Sequence, residues 1–123
     1  MPISTKISTL WIVVLFNMGF ADILSFMVPE FAAQIQSGVV DGVVITPMFL
    51  LLAAVLIEIA IVMIYLSRVL GRRANRIVNF IAVGVTTLFV IGGGSLTPHY
   101  IFFASIEVIT MIYIAYLAWA WRD

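Results

Sequence analysis

Four long apolar runs, separated by short polar or glycine-containing stretches, dominate the hydrophobicity pattern of this chain. They cover residues 10–28, 47–70, 75–92 and 98–119. A run of about 20 apolar residues allows a helix to cross the roughly 30 Å hydrocarbon core of a bilayer. The pattern therefore predicts an all-α fold, a four-transmembrane-helix bundle, with residues 1–123 forming a single integral membrane domain.

Proline, threonine and glycine residues mark the predicted ends of these spans. Thr46-Pro47 and Thr97-Pro98 each place a capping side chain before a proline, which suits the first position of a helix. Residues 71–74 predict a short turn between antiparallel helices, and the glycine-rich residues 92–95 predict the end of the third span.

The connection between the first two spans contains its own helix signals. Pro29 and Glu30 favour a helix start, and Gly38 favours a helix end. We therefore expect a short amphipathic helix over residues 29–37, lying near the membrane interface. Residues 39–45 are then expected to form a turn or an extended link.

Composition supports a membrane protein and excludes several functions. Hydrophobic residues make up 64% of the chain and charged residues 10%, whereas about a quarter of a typical soluble domain is charged. The net charge is zero, so no basic surface for nucleic acid is expected. With no cysteine and one histidine, we expect no metal site and no cofactor.

The basic residues all fall on one side of the four-span arrangement, and the opposite side has none. Because Lys and Arg are retained in the cytoplasm, this places the protein in the plasma (inner) membrane with both termini cytoplasmic. The arginines are interpreted as topology determinants and as contacts to lipid headgroups. The basic residues are Lys6, Arg68, Arg72, Arg73, Arg76 and Arg122.

Two halves of the chain are similar to each other. Residues 45–47 followed by Glu58 correspond to residues 96–98 followed by Glu107, and the same tripeptide, Met-Ile-Tyr, occurs at 63–65 and 111–113. This similarity predicts two parallel helical-hairpin repeats, related by an axis along the membrane normal. The alternative is chance similarity between two apolar segments.

Three carboxyl groups lie within or near the end of the predicted spans. At about 1.5 Å per residue, Asp22 lies roughly 9 Å, Glu107 roughly 12 Å and Glu58 roughly 16 Å from the outer ends. Ionisable residues inside spans are rare and usually face the bundle interior. No Lys or Arg lies within the spans beside them, so each must be protonated, share a proton, bind a cation or contact water.

Other polar side chains lie on the same helix faces or at similar depth. These are expected to support a polar centre that is reached from outside: Asn17, Tyr65, Thr86, Tyr100 and Thr110. His99 lies at the outer mouth. It is either an interfacial side chain in contact with water and headgroups or a proton relay to Glu107.

A set of short segments spread along the chain carries a resemblance to known proteins: residues 8–12, 16–27, 45–47, Glu58, 66–68, 73–76 and 92–100. Through these segments, nearly the whole chain resembles a family of small four-span bacterial membrane proteins that is defined only as a domain of unknown function. The resemblance implies a four-helix membrane bundle and no particular activity. A looser similarity to DoxX-like membrane proteins depends on the glutamate in the second span.

Three functions remain open on these observations. The first is a protein that binds or moves a small ion or solute through a carboxylate-lined cavity open to the outside. The second is a structural or accessory membrane subunit whose carboxyls form a protonated hydrogen-bond network. The third is a membrane enzyme acting on a lipid or quinone, although a non-enzyme is favoured. Because four spans enclose little volume, a homo-oligomer is expected.

Overall fold

The computed structural model describes residues 1–40, 43–92 and 97–121. The predicted all-α fold is confirmed, because these residues form four long helices and one short helix, with a two-stranded hairpin between the second and third. The elements are α1 Ile3–Ser25, α2 Pro29–Ser37, β1 Val39–Val40, β2 Val43–Val44, α3 Pro47–Val69, α4 Arg72–Gly92 and α5 Pro98–Ala120.

The four long helices are each long and apolar enough to cross a membrane. The protein is therefore a multi-pass membrane protein. Helix α1 begins seven residues before the predicted first span, and α4 begins three residues before the predicted third span. The apolar pattern marks only the part of a helix that crosses hydrocarbon, whereas the backbone continues as helix into the polar interface.

The helix signals at Thr46, Pro47 and Gly38 are confirmed by local geometry, whereas the expected cap at Thr97 is wrong, because its side chain makes no capping hydrogen bond to α5. The Thr46 hydroxyl accepts a 3.1 Å hydrogen bond from the backbone N–H of Phe49, and Pro47 follows the cap. The short helix α2 spans the predicted residues and ends at Gly38, whose φ of 80° is the left-handed conformation that glycine adopts without strain.

The link after α2 is an antiparallel β-hairpin, in which Val39 pairs with Val44 and Val40 pairs with Val43. The hydrogen bond from the Ile45 N–H to the Gly38 carbonyl, 2.8 Å long, closes its base. The expected turn at residues 41–42 lies outside the described residues, as does the chain that follows α4 at 93–96.

The long helices form an antiparallel bundle with a square cross-section. Helix α1 packs against α3 and α5, and α4 also packs against α3 and α5. Thus α1 lies diagonally opposite α4, and α3 diagonally opposite α5. We call the end with Lys6, Arg68 and Arg76 the basic end, and the end with α2 and the hairpin the hairpin end. The parallel-repeat relationship stays a prediction.

The core is formed unequally by the four helices. Buried apolar residues from α1 and α5, including Trp11, Val14 and Ile114, pack together along the bundle. Helix α3 buries only Ala60, Met63 and Ser67 of its 23 residues. Most of α3 is therefore exposed on the outside of the bundle.

Candidate functional site

Polar side chains from α1 and α5 come together at the hairpin end. This hairpin-end cluster consists of Asp22, Ser25, His99, Tyr100 and Glu107. The Ser25 hydroxyl and His99 Nε2 are 2.9 Å apart. Ser25 also donates to the carbonyl one turn earlier in α1. The cluster thus joins the last turn of α1 to the first turn of α5.

Glu107 is the buried carboxyl of the cluster, with 2% of its surface exposed. It interacts electrostatically with the Asp22 carboxyl on α1 and with the Tyr100 phenol on its own helix. Among the described residues, no side chain or backbone group donates a hydrogen bond to the Glu107 carboxyl. Asp22 lies at the more exposed edge of the same region.

Tyr100 extends the cluster to a third helix. Its hydroxyl donates a 2.9 Å hydrogen bond to the Val90 carbonyl in the last turn of α4. Tyr100, Glu107 and Thr110 were predicted to share a face, and the structure confirms it, since Glu107 and Thr110 are buried and Tyr100 is half-buried. This face of α5 therefore points into the bundle.

The threonines predicted to support the site are both buried. Thr86 on α4 is 1% exposed, and its hydroxyl has no hydrogen-bond partner among the described residues. Thr110 instead donates a 2.7 Å hydrogen bond to the Ile106 carbonyl one turn earlier. The Thr86 hydroxyl can therefore still form a hydrogen bond, whereas the Thr110 hydroxyl already donates one to its own helix.

Asn17 bonds within its own helix. Its amide donates to the Val13 carbonyl at 2.8 Å, and the side chain is half-buried. It therefore does not link α1 to another helix through a described hydrogen bond.

The expectation that Glu58 points into the bundle is wrong for the single chain. Its side chain is exposed, and Tyr65, two turns along the same face, is 68% exposed. The face of α3 that packs into the bundle contains Ala60, Met63 and Ser67, small or flexible side chains that fit against neighbouring helices. At 3.6 residues per turn, a residue two positions before Ala60 lies on the opposite side of the helix.

The three carboxyls consequently do not converge on one centre. Asp22 and Glu107 interact electrostatically, and Glu58 lies outside the bundle. A groove of about 400 Å³ runs along the outside of α1, lined by apolar residues of that helix between Ile12 and Ile23 and by Ile64 of α3. None of the three carboxyls lines this groove.

A second polar region lies toward the basic end, and sequence reasoning did not assign it. We call it the basic-end network: Ser8, Trp11, Ser67, Asn75 and Asn79, all of them buried. Trp11 Nε1 donates to Asn79 Oδ1 at 2.8 Å, and the Asn79 amide donates to both oxygens of Asn75. The Asn75 amide donates to the Ser67 carbonyl at 2.7 Å and to the Leu70 carbonyl at 3.3 Å.

This network has a recognisable sequence signal. The polar residues Asn75, Asn79 and Thr86 recur at helical spacing along α4, where the other side chains are mostly apolar. The spacing of seven residues places Asn79 and Thr86 on one face of α4, whereas Trp11 and Ser67 offer no comparable pattern. The amide of Asn75 satisfies carbonyls at the end of α3, which otherwise lack partners in the helix.

The described arginines differ in their contacts. Arg68 Nε donates to the Ser8 hydroxyl at 2.8 Å, and this hydroxyl donates to the Ile64 carbonyl. Arg76 donates to three carbonyls at the end of α5 and lies 5.9 Å from the ring centroid of Trp119. Arg72 and Arg73 are exposed. Arg122 lies outside the described residues.

No group of three or more His, Asp or Glu side chains within residues 1–40, 43–92 and 97–121 is placed to hold a metal ion. The comparisons with curated proteins and with solved structures returned no match. The similarity to DoxX-like proteins is not shown by any comparison. One family, whose description is "Family of unknown function (DUF6326)", matches residues 4–123. The chain therefore belongs to the DUF6326 family.

Proposed function

We propose that this membrane protein binds a proton at the hairpin-end cluster, with a small monovalent cation as the alternative occupant. Asp22 and Glu107 would hold the ion between them. Tyr100 and His99 would border the site. Because the basic residues all fall on one side of the four-span arrangement, the hairpin end is expected to face the outside of the plasma membrane. The ion would then enter from outside.

The observation that carries this proposal is the state of Glu107. The Glu107 residue is 2% exposed, its carboxyl receives no hydrogen bond from any described residue, and the Asp22 carboxyl interacts with it electrostatically. Taking an ionised carboxylate out of water is costly unless it is paired or hydrogen-bonded. The described lysine and arginine side chains cannot neutralise it, since they all belong to the opposite end of the bundle.

A proton is favoured over a larger ion by the composition of the site. Two neighbouring carboxyls can share one proton, which removes their mutual repulsion without any further ligand. A metal cation usually needs several oxygen ligands. Because Asp22 is exposed and Glu107 is buried, we expect the proton to reach Glu107 by way of Asp22.

Infrared spectroscopy of the protein in lipid vesicles tests the proposal, because protonated carboxyl groups have their own carbonyl absorption. We expect a pH-dependent band that disappears in Glu107→Gln and shifts its midpoint in Asp22→Asn. The matched control is Ser105→Ala, an exposed hydroxyl on the same helix that bonds only to the Ile101 carbonyl. The control should titrate as the parent does.

A flux assay on the same vesicles tests whether the bound ion crosses the membrane. A trapped pH-sensitive dye reports proton entry when an electrical potential is imposed. We expect Glu107→Gln to lower the rate at least about tenfold, in keeping with loss of an essential proton-transfer group. Identical infrared titrations in the parent and in Glu107→Gln would contradict the proposal, and a response only to Na⁺ or K⁺ would favour the alternative occupant.

The second candidate function is a structural or accessory subunit, and the basic-end network favours it. Its hydrogen bonds join three helices through neutral side chains, as expected for a bundle that is selected for stability. In this case Glu107→Gln should keep or raise stability and leave no functional defect. The infrared titration distinguishes the two candidates, because a purely structural carboxyl stays protonated over the working pH range.

A further inference from the structure

We infer that two copies of this chain associate through the exposed face of α3, with their Glu58 carboxyls meeting at a two-fold axis near the middle of the membrane. This inference goes beyond the ion site at the hairpin end and does not depend on it. It follows from the position of a carboxyl on an otherwise apolar outer surface.

The exposed side of α3 is continuous along the helix. Residues at helical spacing on this face are exposed from one end to the other: Leu51, Ala54, Val55, Glu58, Ile61, Val62, Tyr65 and Val69. Only three residues of α3 are buried in the bundle, so the helix has one side available for a further partner.

Lipid cannot satisfy Glu58 on this surface. Acyl chains offer no hydrogen-bond donor or acceptor, and ionisable residues within spans almost always face protein or a water-filled cavity. Within the described residues, the Glu58 carboxyl forms no hydrogen bond. A protein partner is therefore needed to supply a polar group at its depth.

The depth of Glu58 in the membrane favours a second copy of this chain as the partner. Glu58 lies eleven residues into α3, which is about 16 Å from the hairpin end. At the same level the other helices expose apolar side chains, such as Phe16 on α1, Ile81 on α4 and Ile109 on α5. Among the described residues, Glu58 is therefore the exposed polar side chain at this depth.

A two-fold rotation about the membrane normal keeps every residue at its own depth, so Glu58 of one copy meets Glu58 of the other. In such a pair one carboxyl donates a hydrogen bond to its counterpart. Ala54 lies one turn away on the same face. Small residues at this spacing let two membrane helices approach closely.

Cysteine cross-linking tests the arrangement, and the chain is well suited to it because it contains no cysteine. Ala54→Cys places a thiol on the proposed interface. Ser105→Cys is the matched control, since Ser105 is exposed, lies on the diagonally opposite α5 and is also seven residues into its helix. In oxidised membranes we expect Ala54→Cys to form disulfide-linked dimers and Ser105→Cys to stay monomeric.

The contribution of Glu58 is measured in the Ala54→Cys background. Glu58→Leu should weaken association about threefold to tenfold, as expected for loss of an interhelical hydrogen bond. Glu58→Gln should cross-link as the parent does, because paired side-chain amides also hydrogen-bond. Circular dichroism should show the same helix content in each variant as in the parent, since Glu58 lies outside the bundle.

Three results would overturn the inference. Equal cross-linking of Ser105→Cys and Ala54→Cys would indicate random collision. Full dimer formation in Glu58→Leu would show that the carboxyls do not hold the interface. A disulfide or photo-cross-link from this face to a different protein, with the purified chain monomeric in nanodiscs, would assign α3 to another subunit.

Discussion

Trp11 Nε1 donates a 2.8 Å hydrogen bond to Asn79 Oδ1 and so joins α1 to α4, the two helices that lie diagonally opposite each other. The Asn79 amide donates a hydrogen bond to the Asn75 carbonyl, and the Asn75 amide donates one to the Ser67 carbonyl on α3. Three helices are thereby fixed in rotation and in register by one chain of neutral hydrogen bonds.

A double-mutant cycle measures this diagonal bond. We expect Trp11→Phe and Asn79→Leu, made singly and together, to show a coupling of about 0.6–1.7 kcal/mol in the free energy of unfolding in mixed micelles. Asn17→Leu is the control, since the Asn17 amide bonds to its own helix and should not couple to Trp11→Phe. Additive effects of Trp11→Phe and Asn79→Leu would contradict the assignment.

Arg76 should matter more than the arginine three positions before it. Its guanidinium bonds to the carbonyls of Ala118, Trp119 and Trp121, which lack partners at the end of α5. Lysine cannot reproduce this planar fork, so Arg76→Lys should lower the free energy of unfolding by about 1.5–3 kcal/mol.

The exposed Arg73 provides the matched control for this experiment. Arg73→Lys should stay within about 0.5 kcal/mol of the parent. Chemical unfolding followed by tryptophan fluorescence reports both values. Equal losses in the two variants would mean that positive charge alone, rather than the hydrogen bonds, stabilises this end.

Thr86→Val tests the unpartnered hydroxyl in the core. Because the hydroxyl is buried without a hydrogen bond, replacing it with a methyl group of similar shape should leave the free energy of unfolding unchanged or raise it by up to about 1 kcal/mol. Thr110→Val, which removes a described hydrogen bond, should lower it by about 0.5–1 kcal/mol. Clear destabilisation by Thr86→Val would reveal a bound partner for this hydroxyl.

Reporter fusions test the orientation that the basic residues imply. Fusions at residue 74 and at the C-terminus should both report the cytoplasm, and a fusion at residue 41 should report the outside. Exchanging the arginines at 72 and 73 for glutamine should weaken this preference. An external signal at residue 74 would reject the assignment.

The number, type and approximate ends of the helices follow from the sequence alone. Apolar length and the Thr-Pro signals located α3 and α5 closely, and Pro29 and Gly38 located the short α2, because all of these are local properties. On α4, the spacing alone places Asn79 and Thr86 on one face, and both side chains are buried. Several polar residues that recur on one face mark the side of a helix that packs inward, and this information is contained in the periodicity of that helix.

The tertiary structure alone decided which carboxyl enters the bundle. Glu58 and Glu107 occupy similar sequence contexts, yet Glu107 is buried and Glu58 is exposed. In lipid, the apolar faces of α3 are nearly equivalent, so hydrophobicity does not set the rotation of this helix about its axis. That rotation depends on the fit of Ala60, Met63 and Ser67 against neighbouring helices, and such contacts between distant segments are not a property of any single run of sequence.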